Sequence, residues 1–226
     1  MRLRRTILLL AVAGCAHAPA RTTPTASRAL LLNPADPEWR KPAPPLSHLR
    51  FETSKGVFVL ELHRDWGPIG ADRLYNLARL GYYDDARFHR VNKGYIAQFG
   101  LSGDPAVNAV WRENFMADDP PRSDNKRGTF AFSMKGPGNS NTRSTQIYIN
   151  LGDNSRNNGE PFTILGTVVE GMNVVDSLYS GYGESSGSGV RQGRQGPLAE
   201  GGNAYADAHF PLLDRILRVT VSEVKR

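Results

Sequence analysis

A single cysteine, Cys15, stands in the 226 residues, so no disulfide can form within the chain and stability must come from a packed core. Long apolar runs are missing as well. The longest, Ile7-Leu8-Leu9-Leu10-Ala11-Val12-Ala13, is too short to cross a bilayer as a mature helix. Basic residues outnumber acidic ones, 28 to 22, but the formal net charge of +6 is scattered. Half of it comes from Arg2, Arg4 and Arg5, and no basic run interleaves with aromatics, which excludes a nucleic-acid partner from the expectations. Asp84-Asp85 and Asp118-Asp119 are adjacent carboxylates that read as solvated turns. No metal cluster, phosphate loop or Ser-His pair surrounds the richest stretch, and no cofactor or metal is expected.

What is present begins at the N-terminus. Three arginines, a short apolar run and then small residues describe a secretory signal. The ending Val12-Ala13-Gly14-Cys15 resembles the bacterial lipobox. That resemblance implies cleavage before Cys15, lipid attachment at Cys15 and, with Ala16 following, anchoring to the outer membrane on the periplasmic side of the cell envelope. Residues 15–47 hold Pro19, Pro24, Pro34, Pro37, Pro42, Pro44 and Pro45 and read as an extended tether. Residues 48–226 make the folded domain.

Within that domain, Leu49–Thr53 and Val57–Leu62 alternate around Ser54-Lys55-Gly56, a β-hairpin with Phe58, Leu60 and Leu62 on one face. Gly67-Pro68 opens a helix over 69–80, with Gly70, Leu74, Leu77 and Ala78 at helical spacing and Gly81 as its stop. Residues 101–127 read as a long loop. Strands are expected at 128–134, 146–150, 163–169 and around 217–221, and a second helix from Gly171-Met172 through Leu178. The glycine-rich segment 181–202 reads as a flexible insertion. Many short strands with two helices indicate a mainly β domain, a closed antiparallel barrel or sandwich with helices over its open ends.

The chemistry concentrates in Phe88-His89-Arg90-Val91-Asn92-Lys93-Gly94-Tyr95-Ile96-Ala97-Gln98-Phe99-Gly100. Two short β-type runs meet at an Asn-Lys-Gly turn, and alternation places Phe88 with Arg90, and Tyr95 with Ala97, on shared faces. A permanent cation is thereby brought near an aromatic ring and the Gln98 amide. Such a site suits a neutral polar group over an apolar floor. His89 reads as a structural hydrogen-bonding residue, not an acid or base, and Met134 and Met172 as packing residues.

Three phrases in order resemble the cyclophilin family of peptidyl-prolyl cis–trans isomerases, in its bacterial form. They are Phe88-His89-Arg90 with Gly94-Tyr95-Ile96-Ala97-Gln98-Phe99-Gly100; Ser133-Met134-Lys135 with Thr145-Gln146-Ile147-Tyr148-Ile149; and Leu165-Gly166-Thr167-Val168-Val169-Glu170-Gly171-Met172. The resemblance covers roughly residues 49–180 and the last strand. It implies a closed eight-stranded antiparallel barrel capped by two α-helices. It also implies Arg90 as the catalytic arginine and Gln98 as the glutamine that helps to orient the arginine or the substrate. Tyr95, Ile96 and Tyr148 become the proline-pocket positions, Gln146 part of the opposing wall, and Phe162 the replacement for a pocket histidine. Departures from the family pattern are Lys93 for proline, Tyr95 for phenylalanine, Phe99 for glycine and Ile147-Tyr148 for a Phe-Phe pair.

These residue types suit the reaction. Amide resonance opposes rotation with a barrier of about 18–20 kcal/mol, and X-Pro bonds exchange over about 10–100 s unaided. The catalyst needs only to hold the twisted amide better than either planar form. A guanidinium, always charged and forked, can donate hydrogen bonds to the twisted amide. The expected function is therefore isomerisation of X-Pro bonds in unfolded or partly folded envelope proteins, by a monomer. The alternatives are a catalytically weak module that binds proline-containing segments and a structural envelope lipoprotein.

Overall fold

The computed structural model describes residues 28–122, 124–136, 138–183 and 195–225. The signal segment, Cys15, the first part of the tether and the middle of the 181–202 insertion lie outside the described residues.

Eight strands form one antiparallel sheet in the order β3-β4-β6-β5-β7-β2-β1-β8. The hairpin β1 (Leu46–Thr53) and β2 (Gly56–His63) stands as expected, with Phe51 opposite Phe58. Their rings stack at 4.8 Å. The remaining strands are β3 (Arg90–Asn92), β4 (Ile96–Phe99), β5 (Thr129–Phe132), β6 (Ile147–Asn150), β7 (Gly166–Glu170) and β8 (Ile216–Glu223). Phe51, Phe58, Phe88, Phe99, Phe130 and Ile149 are all fully buried in the core that the curled sheet encloses. Burying each such side chain contributes about 1.5–3 kcal/mol.

The ladder is open where a closed barrel is expected. Its edge strands β3 and β8 share no register; a single bridge, Arg87 to Arg215, links the segments that lead into them. Two backbone bonds, Phe88 N–H to the Asp214 carbonyl (2.9 Å) and Ile216 N–H to the Ala86 carbonyl (2.8 Å), hold it there. Beyond this point residues 88–89 leave regular extended structure, and β8 pairs with β1 instead.

Helix α2 (Pro68–Arg79) matches the expected amphipathic helix, burying Leu74, Leu77 and Ala78. Asp119 caps its start: its carboxylate oxygens accept from Ile69 N–H (2.9 Å) and Gly70 N–H (2.8 Å). Asp119 is thus a buried helix cap paired with Arg143, not a solvated turn. The second expected helix is short, α4 (Met172–Asp176).

Three segments depart from the sequence reading. The second half of the tether is docked, beginning with the short helix α1 (Arg28–Leu31). Trp39 is buried edge-on against Trp111, with ring centroids 4.6 Å apart. Each indole N–H donates to a carbonyl of this strap, Trp39 to Asn33 at 3.0 Å and Trp111 to Leu31 at 2.7 Å. The backbone groups of an irregular segment are satisfied in this way. The long loop 101–127 contains helix α3 (Pro105–Trp111), capped by Asp104, whose side chain accepts from Ala106 N–H. Residues 196–202 of the supposed insertion belong to helix α5 (Gly196–His209), kinked at Gly202. There φ is +57°, and a side chain would meet the Gly103 carbonyl oxygen at 2.3 Å, so only glycine lets the two segments touch.

Candidate active site

The register of β3 on β4 pairs Arg90 with Gln98, Val91 with Ala97 and Asn92 with Ile96. Directly opposed residues share a face, so Arg90 and Gln98 project together, and Ile96 lies two residues along on the same side. Ala97 and Phe99 point the other way, into the enclosed core. The simple alternation from Phe88 to Arg90 fails, because residues 88–89 are not regular strand; Phe88 is a core residue. Tyr95 sits in the turn before β4 and so does not share a strand face with Ala97. Gly100, at the end of β4, has φ of +115°, and a side chain there would strike the Thr145 carbonyl oxygen at 2.3 Å.

A cleft of about 600 Å³ opens on this face. It is lined by Arg90, Tyr95, Ile96, Gln98, Gln146, Tyr148 and Phe162, every residue that the sequence assigned to the pocket. Ile96 and Tyr148 form its apolar side with Ala131 and Ile164 behind them, and Phe162 meets Tyr148 edge-on at 5.2 Å. The polar side is a line of hydrogen bonds. Arg90 Nη1 donates to Gln98 Oε1 at 3.1 Å, and Gln98 Nε2 donates to Gln146 Oε1 at 2.7 Å. Gln98 is buried, whereas Arg90 and Gln146 are half-buried and face the cleft.

The two tyrosines that depart from the family pattern keep their hydroxyls accounted for. Tyr148 donates its hydroxyl to Asn125 Oδ1 at 2.8 Å. Asn125 is itself oriented by donating from Nδ2 to Asn158. Burial pushes the Tyr148 phenol well above its ordinary pKa, so it stays protonated as a donor. Tyr95 accepts at its hydroxyl from Asn157 Nδ2 at 3.3 Å. Two guanidinium carbons lie over its ring, Arg90 at 5.7 Å and Arg156 at 4.7 Å. Phe99 is no part of the pocket floor; its ring packs edge-on among Phe51, Tyr83 and Phe88. Lys93 is exposed in the turn.

Burial holds the His89 imidazole down at about 4, outweighing the lift from the nearby Gln146 amide, and the Arg90 charge adds to the depression. The ring is kept neutral and away from solvent, but among the described residues neither of its nitrogens has a hydrogen-bond partner, so the structural hydrogen bond expected of it is not made. Sequence reasoning missed Met134, Phe115 and Gln195, which also line the cleft. Met134 was readable only as a packing residue. Gln195 lies in the segment taken for a flexible insertion.

Comparison with known proteins identifies the family of this fold. Residues 48–194 match the family model for cyclophilin type peptidyl-prolyl cis-trans isomerases. The chain is similar to the peptidyl-prolyl cis-trans isomerase ppi1 of Schizosaccharomyces pombe, 33% identical over 57% of this chain and 83% of that protein. It is likewise similar to CYP18-2 of Arabidopsis thaliana, an isomerase of the same description, 32% identical over 57% of this chain and 78% of that protein. Among solved structures, a cyclophilin type isomerase of Cryptosporidium parvum superposes with a TM-score of 0.58 at 22% identity, covering 80% of this chain and 99% of that one. The same protein was solved in the presence of the dipeptide Ala-Pro, and that structure superposes with a TM-score of 0.56 at 21% identity.

Proposed function

The chain belongs to the cyclophilin-type peptidyl-prolyl cis–trans isomerase family, and from that premise we propose that it isomerises X-Pro bonds with Arg90 as the catalytic cation. The proline ring sits on Ile96, Tyr148 and Phe162, with Tyr95 beside it. The preceding carbonyl turns while the ring is held. In the twisted amide the proline nitrogen regains a lone pair, and the Arg90 guanidinium donates to the distorted amide. Gln98 holds the guanidinium by accepting from it, and Gln146 forms the facing wall. The observation that carries this reading is the Arg90–Gln98 bond at the lip of an apolar cleft.

We favour this over a catalytically weak binding module, because the polar atoms or rings of Tyr95, Tyr148 and Phe99, which motivate that alternative, are engaged by Asn157, Asn125 and the core. Exchange of an X-Pro peptide, followed by NMR, tests the proposal. Arg90→Ala is expected to lower kcat/KM by about 10²–10³-fold, and a variant as fast as the wild type would sink the assignment.

We also propose that the protein works in a bacterial cell envelope on unfolded or partly folded clients, held at the outer membrane by lipid on Cys15. The leader pattern supports this, whereas the relatives named above are fungal and plant proteins. Among the described residues no helix is long and apolar enough to cross a membrane. Labelled palmitate should enter the wild-type protein and not Cys15→Ser; equal labelling would remove the anchor from the proposal.

A further inference from the structure

The hydrogen-bond line that starts at Arg90 does not end at Gln146. Gln146 Nε2 donates to Gln195 Oε1 at 2.9 Å. Gln195 lies beyond the family match, which stops at residue 194, and it immediately precedes helix α5. The direction of this line is fixed by its first member. A guanidinium has donors only, so Gln98 must turn its oxygen to Arg90 and its NH₂ to Gln146. Gln146 must then offer its oxygen to Gln98 and its NH₂ outward. The chain therefore ends on a group that has to accept, and Gln195 supplies the accepting oxygen.

Gln195 is held in place by the helix it precedes. Its own carbonyl accepts from Ala199 N–H at 2.9 Å, the first bond of α5. Helix α5 is fastened to the domain at several points. Leu198, Ala199 and Ala206 pack on Leu101. Asn203 N–H donates to the Gly103 carbonyl, Asn108 Nδ2 donates to the Ala199 carbonyl, and Arg87 pairs with Asp207 at 2.8 Å. A long amide on a fastened helix end loses less freedom on bonding than one on a loose loop.

We infer that Gln195 is a positioning residue for the isomerase site, acting on Arg90 through Gln146 and Gln98. Helix α5 is thereby part of the catalytic apparatus of this chain, not decoration on its surface. The inference rests on the catalytic reading of Arg90. Without an acceptor at its end, the Gln146 amide loses one of the two bonds that hold it and moves more freely while its oxygen still accepts from Gln98. A loosened Gln146 holds Gln98 less firmly and lets the guanidinium leave the geometry that the twisted amide requires. The loss falls on the transition state more than on the bound ground state, because peptide affinity comes mainly from the apolar side of the cleft.

The test compares the full chain with Gln195→Leu, Gln195→Glu and Arg90→Ala in the exchange assay, with thermal unfolding to confirm equal folded fractions. Gln195→Leu keeps the bulk and removes the acceptor. It is expected to lower kcat by about three- to tenfold, with KM within about twofold. Gln195→Glu retains accepting oxygens and is expected to restore most of the rate. Solvent exchange of the Gln98 side-chain amide should quicken in Gln195→Leu and not in Gln195→Glu. Loss of rate in Arg90→Ala with an unchanged kcat in Gln195→Leu overturns this inference alone. A Gln195→Glu enzyme as slow as Gln195→Leu also overturns it, since the role would then be bulk or fold. A fully active Arg90→Ala overturns the catalytic reading and this inference with it.

Discussion

The two faces of strand β4 differ in kind although their residues alternate along four positions. Ala97 and Phe99 face the enclosed core, where Phe99 touches three other aromatic rings. Ile96 and Gln98 face the cleft, where Gln98 joins Arg90 to Gln146. Both faces are buried, so burial does not tell them apart. What separates them is what a substitution would remove. On the core face it is packed volume, which a cavity cannot replace. On the cleft face it is the direction of a few hydrogen bonds, which contribute little to stability and much to where a charge sits.

The sharpest way to break this comparison is at Phe99. Phe99→Ala should destabilise the fold by about 3–5 kcal/mol, read as a lower denaturant midpoint, while the folded fraction keeps the wild-type kcat/KM. Arg90→Ala should do the reverse, losing activity with a midpoint that scarcely moves. If Phe99→Ala lowered turnover per folded molecule as much as stability, the two faces would not be independent.

A second test uses pH, because His89 is buried immediately before Arg90. Its folded pKa, about 4, is below the ordinary value of 6.5. Between those values the unfolded chain binds a proton that the native chain refuses. Stability is therefore full above about pH 6.5 and is lost as pH falls toward 4. The loss reaches about 3 kcal/mol for this one group. Urea midpoints for wild type and His89→Leu between pH 7 and 4 measure it. The variant should show the shallower fall, and parallel curves would mean that the imidazole is protonated, or paired, in the folded chain.

The same contrast explains which parts were legible in the sequence. Hairpin β1–β2, helix α2 and strands β5 and β6 announce themselves through alternation or 3.6-residue spacing, because each buries one face against the shared core. Arg90 and Gln98 were legible through the phrase that carries them. The strap around Trp39 was hidden by its prolines, which set an average composition typical of a tether while one indole supplies the anchor. Helix α5 contains Gly196, Gly201 and Gly202, poor helix formers, and stands only because Leu198, Asn203 and Asp207 find partners far along the chain. Helix α3 had a readable start in Asp104-Pro105, but its seven residues lie within a polar stretch. Gln195 had no local signal at all. Its partner Gln146 is 49 positions away, and neither periodicity nor a phrase reports a contact of that range. Closure of the sheet was also beyond the sequence, since it depends on whether residues 88–89 hold their register.

The smallest expected effect is the one that best separates a residue's two ends. The Tyr148 ring faces the cleft, but its hydroxyl donates to Asn125 behind the wall. Tyr148→Phe should therefore behave as a change on the structural side alone. Asn125 Oδ1 would keep only a longer bond from Asn150 Nδ2, at 3.4 Å, so stability should fall by about 1 kcal/mol. The ring edge against Phe162 and the proline floor would be unchanged, and kcat/KM should stay within about twofold of wild type. Thermal unfolding and the exchange assay on one preparation measure both. A clear drop in turnover without loss of stability would mean that the hydroxyl reaches the guest, and that the division between the two sides of the wall runs through the ring, not behind it.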